Sequence, residues 1–112
     1  MRRTFIQLNT FSKRWDTLGL ADADLRELED AIMKNPEIGD LIQGAGGLRK
    51  LRFALPNKGK SSGIRVLYVD YAYYEVAVLM NVFAKGNQDN ISEKEKKDLQ
   101  RWIAAFLKEL RK

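Results

Sequence analysis

The sequence predicts an α+β domain over residues 1–112. A small antiparallel sheet in the order β-α-α-β-β-β-α would be flanked by an N-terminal helical hairpin and a C-terminal helix. Three observations predict it. Apolar residues fall three and four apart in two stretches before Asn35 and in one after Ser92, the spacing of a helix face. Between Leu48 and Phe83 apolar, β-branched and aromatic residues alternate or run on, as in strands. A connector dense in glycine and proline, from Asn35 to Gly47, divides the helical half from the strand half.

Each element has its own signal. Arg3 to Asn9 carries Phe5, Ile6 and Leu8 and suits a short strand. Phe11, Trp15 and Leu18 then form one helix face, which Gly19 should end. A second helix runs from Asp22 to Asn35 with Leu25, Leu28 and Ile32 on its stripe. Asp24 and Glu27 resemble a capping box, and Asn35-Pro36 is the stop. So few residues join the two helices that they should lie antiparallel. Leu48 to Ala54 alternates Leu48, Lys50 and Arg52 with Arg49, Leu51 and Phe53, and Ile64 to Asp70 is β-branched and aromatic. Glu75 to Phe83 is apolar on both parities, as a central strand should be: Val76, Val78, Met80 and Val82 on one, Ala77, Leu79 and Phe83 on the other. Ser92 with Glu95 opens the last helix, whose stripe is Leu99, Trp102, Ile103, Phe106, Leu107 and Leu110. Lys108, Arg111 and Lys112 complement the dipole at its end.

Composition excludes whole classes of chemistry. The 112 residues include no Cys and no His, which removes disulfides, thiolate and imidazole metal sites, Ser-His-Asp triads and paired-imidazole RNA cleavage. Catalysis near neutral pH would fall to Lys, Arg, Tyr, Asp or Glu, and no cofactor is expected. No apolar run approaches the ~20 residues of a bilayer span, and Gln7, Asn9 and Thr10 interrupt the only stretch after Arg2-Arg3 that could serve as a leader. A cytoplasmic protein without membrane partners is the expectation.

Charge is informative through its distribution. Twenty Lys and Arg against fifteen Asp and Glu give +5. Residues 1–44 carry −2, residues 45–91 carry +4 and residues 92–112 carry +3. From Leu48 to Val69 there are six bases and no acid: Arg49, Lys50, Arg52, Lys58, Lys60 and Arg65. If Leu51 and Phe53 face a core, Lys50 and Arg52 project from the opposite face. Arg65 lies among Ile64, Val66, Leu67 and Tyr68, where a guanidinium must reach solvent, pair internally or bind an anion. Lys85 follows the central strand. The expected result is a concave basic surface of Lys50, Arg52, Arg65 and Lys85, with Lys58 and Lys60 on its rim, suited to a polyanion.

Other clusters read as structural. Phe11, Trp15, Trp102 and Phe106 fall on helical stripes and belong to the core. Asp22, Asp24, Glu27, Glu29 and Asp30 sit in the first turns of a helix, where the dipole favours acids, so they are not read as a metal site. Lys58-Gly59-Lys60-Ser61 lacks the upstream glycine of a phosphate-binding loop, and a hairpin follows it. Tyr71, Tyr73 and Tyr74 mark a turn that would suit base stacking, a partner contact or packing.

The element order resembles the RelE/ParE superfamily of type II toxins. So do the runs Ile38-Gly39-Asp40-Leu41-Ile42-Gln43-Gly44-Ala45-Gly46-Gly47-Leu48-Arg49-Lys50-Leu51-Arg52, Gly63-Ile64-Arg65-Val66-Leu67-Tyr68 and Val82-Phe83-Ala84-Lys85-Gly86. The long glycine-rich approach to the second strand is most similar to HigB-type toxins. The resemblance implies a toxin held inactive by an antitoxin and, for the RelE/HigB branch, metal-independent and ribosome-dependent cleavage of mRNA that inhibits translation. It implies a HigA-like antitoxin with a helix-turn-helix, through which alone operator DNA would be bound. By motif, Lys50 and Arg52 match the paired bases of the second strand, Arg65 a phosphate clamp and Lys85 the base after the fourth strand. Arg49, Lys58 and Lys60 would contact RNA or the ribosome. RelE itself carries an arginine where this chain has Gly86, and a tyrosine slightly further on that Gln88 to Ser92 do not supply. The general acid and base therefore stay unassigned, with Lys50 or Lys85 the candidate base. Two rival readings share the fold or the patch: a ParE-like toxin directed at gyrase, and a non-catalytic RNA-binding module.

Overall fold

A computed structural model describes residues 2–54, 63–84 and 91–112. The elements are β1 (Thr4–Gln7), α1 (Asn9–Thr17), α2 (Asp22–Lys34), β2 (Asp40–Leu41), β3 (Arg49–Phe53), β4 (Ile64–Tyr71), a 3-10 turn (Ala72–Tyr74), β5 (Val76–Ala84) and α3 (Glu93–Leu110). The fold is mixed α+β, as the periodicities predict. The five strands lie in the order β1-β5-β4-β3-β2. Pairs β2–β3, β3–β4 and β4–β5 are antiparallel, but β1 runs parallel to β5, with Thr4 beside Val76 and Gln7 beside Leu79. The sheet is therefore mixed at one edge rather than antiparallel throughout. A parallel neighbour needs a long crossover, and here residues 8–75 supply it.

The sheet is packed on both faces. On one, Phe11 and Trp15 of α1 with Leu28 and Ile32 of α2 cover Leu51, Ile64, Val66, Tyr68, Ala77, Leu79 and Val82. On the other, Ile103 with half-buried Leu99, Trp102, Phe106 and Leu107 of α3 covers Leu48, Leu67, Val69, Tyr71, Val78, Met80 and Phe83. α1 ends as expected, with Gly19 at φ +73°. α2 begins earlier than Asp24 would allow as a cap: Ala21 is the N-cap, and Asp24 accepts from its backbone N at 2.9 Å. Asp24 thus supplies the reciprocal half of a capping box, not its start. The box at the head of α3 forms as predicted, with Glu95 N donating to Ser92 Oγ at 3.1 Å.

The connector expected to be only turns contains β2. Asp40 and Leu41 pair with Lys50 and Arg49, and Ile42 N donates to Leu48 O at 2.9 Å to close the hairpin. Tyr68 pins this segment from beneath: its hydroxyl donates to Pro36 O at 2.8 Å and accepts from Gly39 N at 3.0 Å. A Cβ at Gly39 would meet Tyr68 Cε1 at 2.8 Å, so glycine is required there by close approach. At the same end of the sheet Arg3 donates to both oxygens of Asp70, at 2.7 and 3.1 Å, with both side chains nearly buried. The hydrogen bond to Asp70 raises the Arg3 pKa further.

The parity read for β5 holds only as far as Met80. A bulge between Leu67 and Tyr68 of β4 leaves Leu67 opposite Asn81 and Tyr68 opposite Leu79, so Met80 is extra. Val82 consequently packs with Ala77 and Leu79 on the α1–α2 face, and Phe83 with Val78 and Met80 on the α3 face.

Candidate nucleic-acid interface

The α3 face carries the cations. Leu51 is buried against α1 and α2, and alternation turns Lys50 and Arg52 the other way. On β4, Ile64, Val66 and Tyr68 pack toward α1 and α2, so Arg65 shares its side with Leu67 and Val69. Register then brings the residues together: Arg52 stands directly opposite Arg65, and Lys50 opposite Leu67. Directly opposed side chains start about 5 Å apart at Cβ, and like charges placed so repel. Among the described residues neither arginine forms an ion pair with a carboxylate. Arg65 is also only 8% exposed. A buried guanidinium facing a second one, with no carboxylate paired to either among the described residues, is an arrangement able to receive an anion.

Not every base joins it. Arg49 lies on the opposite side of β3 from Lys50 and Arg52. Its guanidinium donates to Gly39 O at 2.7 Å and Glu37 O at 3.3 Å, and lies 3.6 Å from the Glu37 carboxylate. It ties the connector to the sheet. Lys58, Lys60 and Lys85 lie outside the described residues.

Sequence reasoning missed Asn81. It is 5% exposed, and with Arg65 it makes up the buried polar and charged side chains among the described residues. Strict alternation would point it toward α1 and α2; the bulge turns it to the α3 face, and its Oδ1 accepts from Val82 N at 2.9 Å. The available signal was a carboxamide within an otherwise apolar nine-residue strand. Among the described residues no group of carboxylates is arranged to hold a metal, and no helix is long and apolar enough to cross a membrane. The aromatic stripes belong to the cores, as read: Phe11 stacks on Trp15 at 5.4 Å and Trp102 on Phe106 at 4.9 Å. Tyr71 is core too, its hydroxyl donating to Ile103 O at 3.1 Å and burial pushing its pKa up to about 12. Tyr73, in contrast, is 90% exposed.

Residues 3–112 match the family model described as the RelE toxin of the RelE / RelB toxin-antitoxin system. The chain belongs to the RelE toxin family. Solved structures agree at the level of fold. A double arginine-to-alanine mutant of the E. coli toxin RelE in the free state superposes with a TM-score of 0.57 at 18% identity, covering 91% of this chain and 97% of the other. The isolated E. coli RelE toxin in a P21 crystal form gives 0.53 at 19% identity, covering 89% and 98%. In this chain the paired arginines lie on the sheet face that α3 covers.

Proposed function

We propose that this RelE-family toxin cleaves mRNA on the ribosome, without a metal, and is silenced by a cognate antitoxin. The observation that carries this reading is the register of Arg52 opposite Arg65 on one face, with no carboxylate among the described residues paired to either. RNA cleavage of this kind needs little else from a protein. The ribose 2′-oxygen forms a bond to the adjacent phosphorus as the bond from phosphorus to the 5′-oxygen breaks, leaving a cyclic phosphate. One proton leaves the 2′-hydroxyl and one reaches the departing 5′-oxygen. Charge gathers on the non-bridging oxygens, where fixed cations stabilise it most. Arg65 is assigned the phosphate clamp, with Arg52 beside it and Lys50 or Lys85 as the proton acceptor. Lys58 and Lys60 are assigned contacts to ribosomal or messenger RNA, and the antitoxin, in this reading HigA-like with a helix-turn-helix, would cover the basic face.

Primer extension on mRNA from a translation extract tests the reading. Codon-phased cuts that require ribosomes and vanish with Arg65→Ala support it. Gyrase-dependent DNA breaks with intact mRNA would replace it with a gyrase-directed toxin. Salt-sensitive RNA binding without cuts would leave only a phosphate-neutralising patch.

A further inference from the structure

We propose that Asn81 is a phosphate-binding residue of this site, its Nδ2 donating to a non-bridging oxygen of the scissile phosphodiester alongside Arg65. The proposal rests on the endoribonuclease reading and deepens it. Arg65 is opposite Phe83, and Asn81 lies two residues before Phe83 on the same face, so the two are diagonal neighbours about 7–8 Å apart. Both are more than nine-tenths buried in strands otherwise filled with apolar side chains.

A carboxamide offers one acceptor and two donors. The bulge fixes the assignment, because Val82 N–H requires the oxygen and holds it at 2.9 Å. The amino group is thereby locked in direction, and among the described residues it meets no acceptor. Among the described residues Trp15 Nε1 is the side-chain nitrogen sealed in without a partner, so the Asn81 amino group keeps some contact with solvent, and a bulge capped by Asn81 Oδ1 makes no use of it. Asn81 also borders a hollow of about 160 Å³ between β5 and the first turns of α3, whose lining does not include Arg65. Glu95 and Asp98 line the α3 side of that hollow. A cation at residue 81 would be drawn into pairing with them, whereas a neutral amide keeps its N–H for an incoming oxygen.

An amide nitrogen neither gives up nor accepts a proton near neutral pH, so Asn81 cannot be the missing acid or base. Its use is a fixed dipole aimed where negative charge develops, next to a guanidinium that also only donates.

Two measurements test this on the full-length toxin. In the first, a ribonucleoside 3′-monophosphate is titrated while the Asn81 side-chain amide is followed by NMR. A saturable shift, abolished by Arg65→Ala, is expected; an amide that stays still while phosphate binds overturns the proposal. In the second, ribosome-bound mRNA carries one sulfur, in either stereochemistry, at the scissile phosphate. Wild type should be slowed by one isomer. Asn81→Thr keeps a hydroxyl for Val82 N–H but loses Nδ2, and should lower kcat about a hundredfold. KM and melting temperature should stay near wild type, and the isomer preference should disappear. Wild-type kcat in Asn81→Thr overturns the proposal. So does a loss that tracks a lowered melting temperature with isomer preference intact, which would confine Asn81 to the bulge. Should wild type cut no mRNA while the amide still shifts saturably, the endoribonuclease reading fails and the phosphate contact stands.

Discussion

The two faces of the sheet solve different problems with the same strands. Toward α1 and α2 every buried side chain is apolar or, like Tyr68, has its polar atom satisfied; Trp15 is the exception, its Nε1–H enclosed without an acceptor. Toward α3 the core also buries Leu67, Val69 and Val78, yet β3, β4 and β5 carry Lys50, Arg52, Arg65 and Asn81 on that side. One face is optimised for burial. The other gives up some of it to hold like charges close together, a cost that an arriving anion would offset. Stability and function should therefore separate by face, and substitutions can test that separation.

The largest effect is expected on the closed face. Phe11 is fully buried and stacked on Trp15, so Phe11→Ala should cost about 3–5 kcal/mol by chemical denaturation. Arg65→Ala should do the reverse: cleavage in a translation extract falls about 10²–10³-fold, while the denaturation midpoint holds or rises. If Arg65→Ala unfolds the protein as Phe11→Ala does, the contrast between faces is wrong. Gly39→Ala, forced against the buried Tyr68 ring, should cost about 1–3 kcal/mol and leave the basic pair untouched. Arg49→Ala sharpens the same division. It should loosen the connector by about 1 kcal/mol, seen as faster amide exchange at Gly39, and cleave mRNA close to wild type.

The smallest effect is a pH dependence from the core tyrosines. Burial raises the pKa of Tyr71 to about 12 and raises that of Tyr68, so each phenol holds its proton more tightly folded than unfolded. The folded state then binds more protons above pH ~10, and stability must fall as pH rises from there through about 12. Urea midpoints at pH 9 and 11 should show the loss, and Tyr71→Phe should reduce it.

The element order was legible because helix and strand periodicities are local. Phe11, Trp15, Leu28 and Ile32 announce their face by spacing alone, and Ser92 with Glu95 announces a helix start. What was not legible depends on partners distant in sequence. Nothing in Thr4 to Gln7 says that the neighbour runs parallel, and two residues, Asp40 and Leu41, are too few to show alternation. The β5 bulge is set by how β4 and β5 meet at Leu67, so strict parity assigned Val82 and Phe83 to each other's faces and hid Asn81. At the basic site, alternation around Leu51 placed Lys50 and Arg52 correctly on the side away from Leu51. It also gave Arg49 the parity of Leu51, yet the charge run grouped Arg49 with the RNA-facing bases. Its fate was decided by Gly39 O and Glu37, whose positions depend on the Tyr68 clamp.

The parallel edge also constrains the order of assembly. Thr4 to Gln7 can hydrogen-bond only to the stretch that begins at Val76, so the first strand made must wait for the last. Until then Phe5 and Ile6 have no ladder, and the sheet that carries the arginines lacks one edge. During synthesis, a nascent chain that has emerged only as far as β4 holds Arg52 and Arg65 but not the strand that supports them from the other side. Pulse-labelled exchange should find the Ile6 and Val78 amides protected in one late step, so the arginine-bearing sheet would be complete only once β5 has been made.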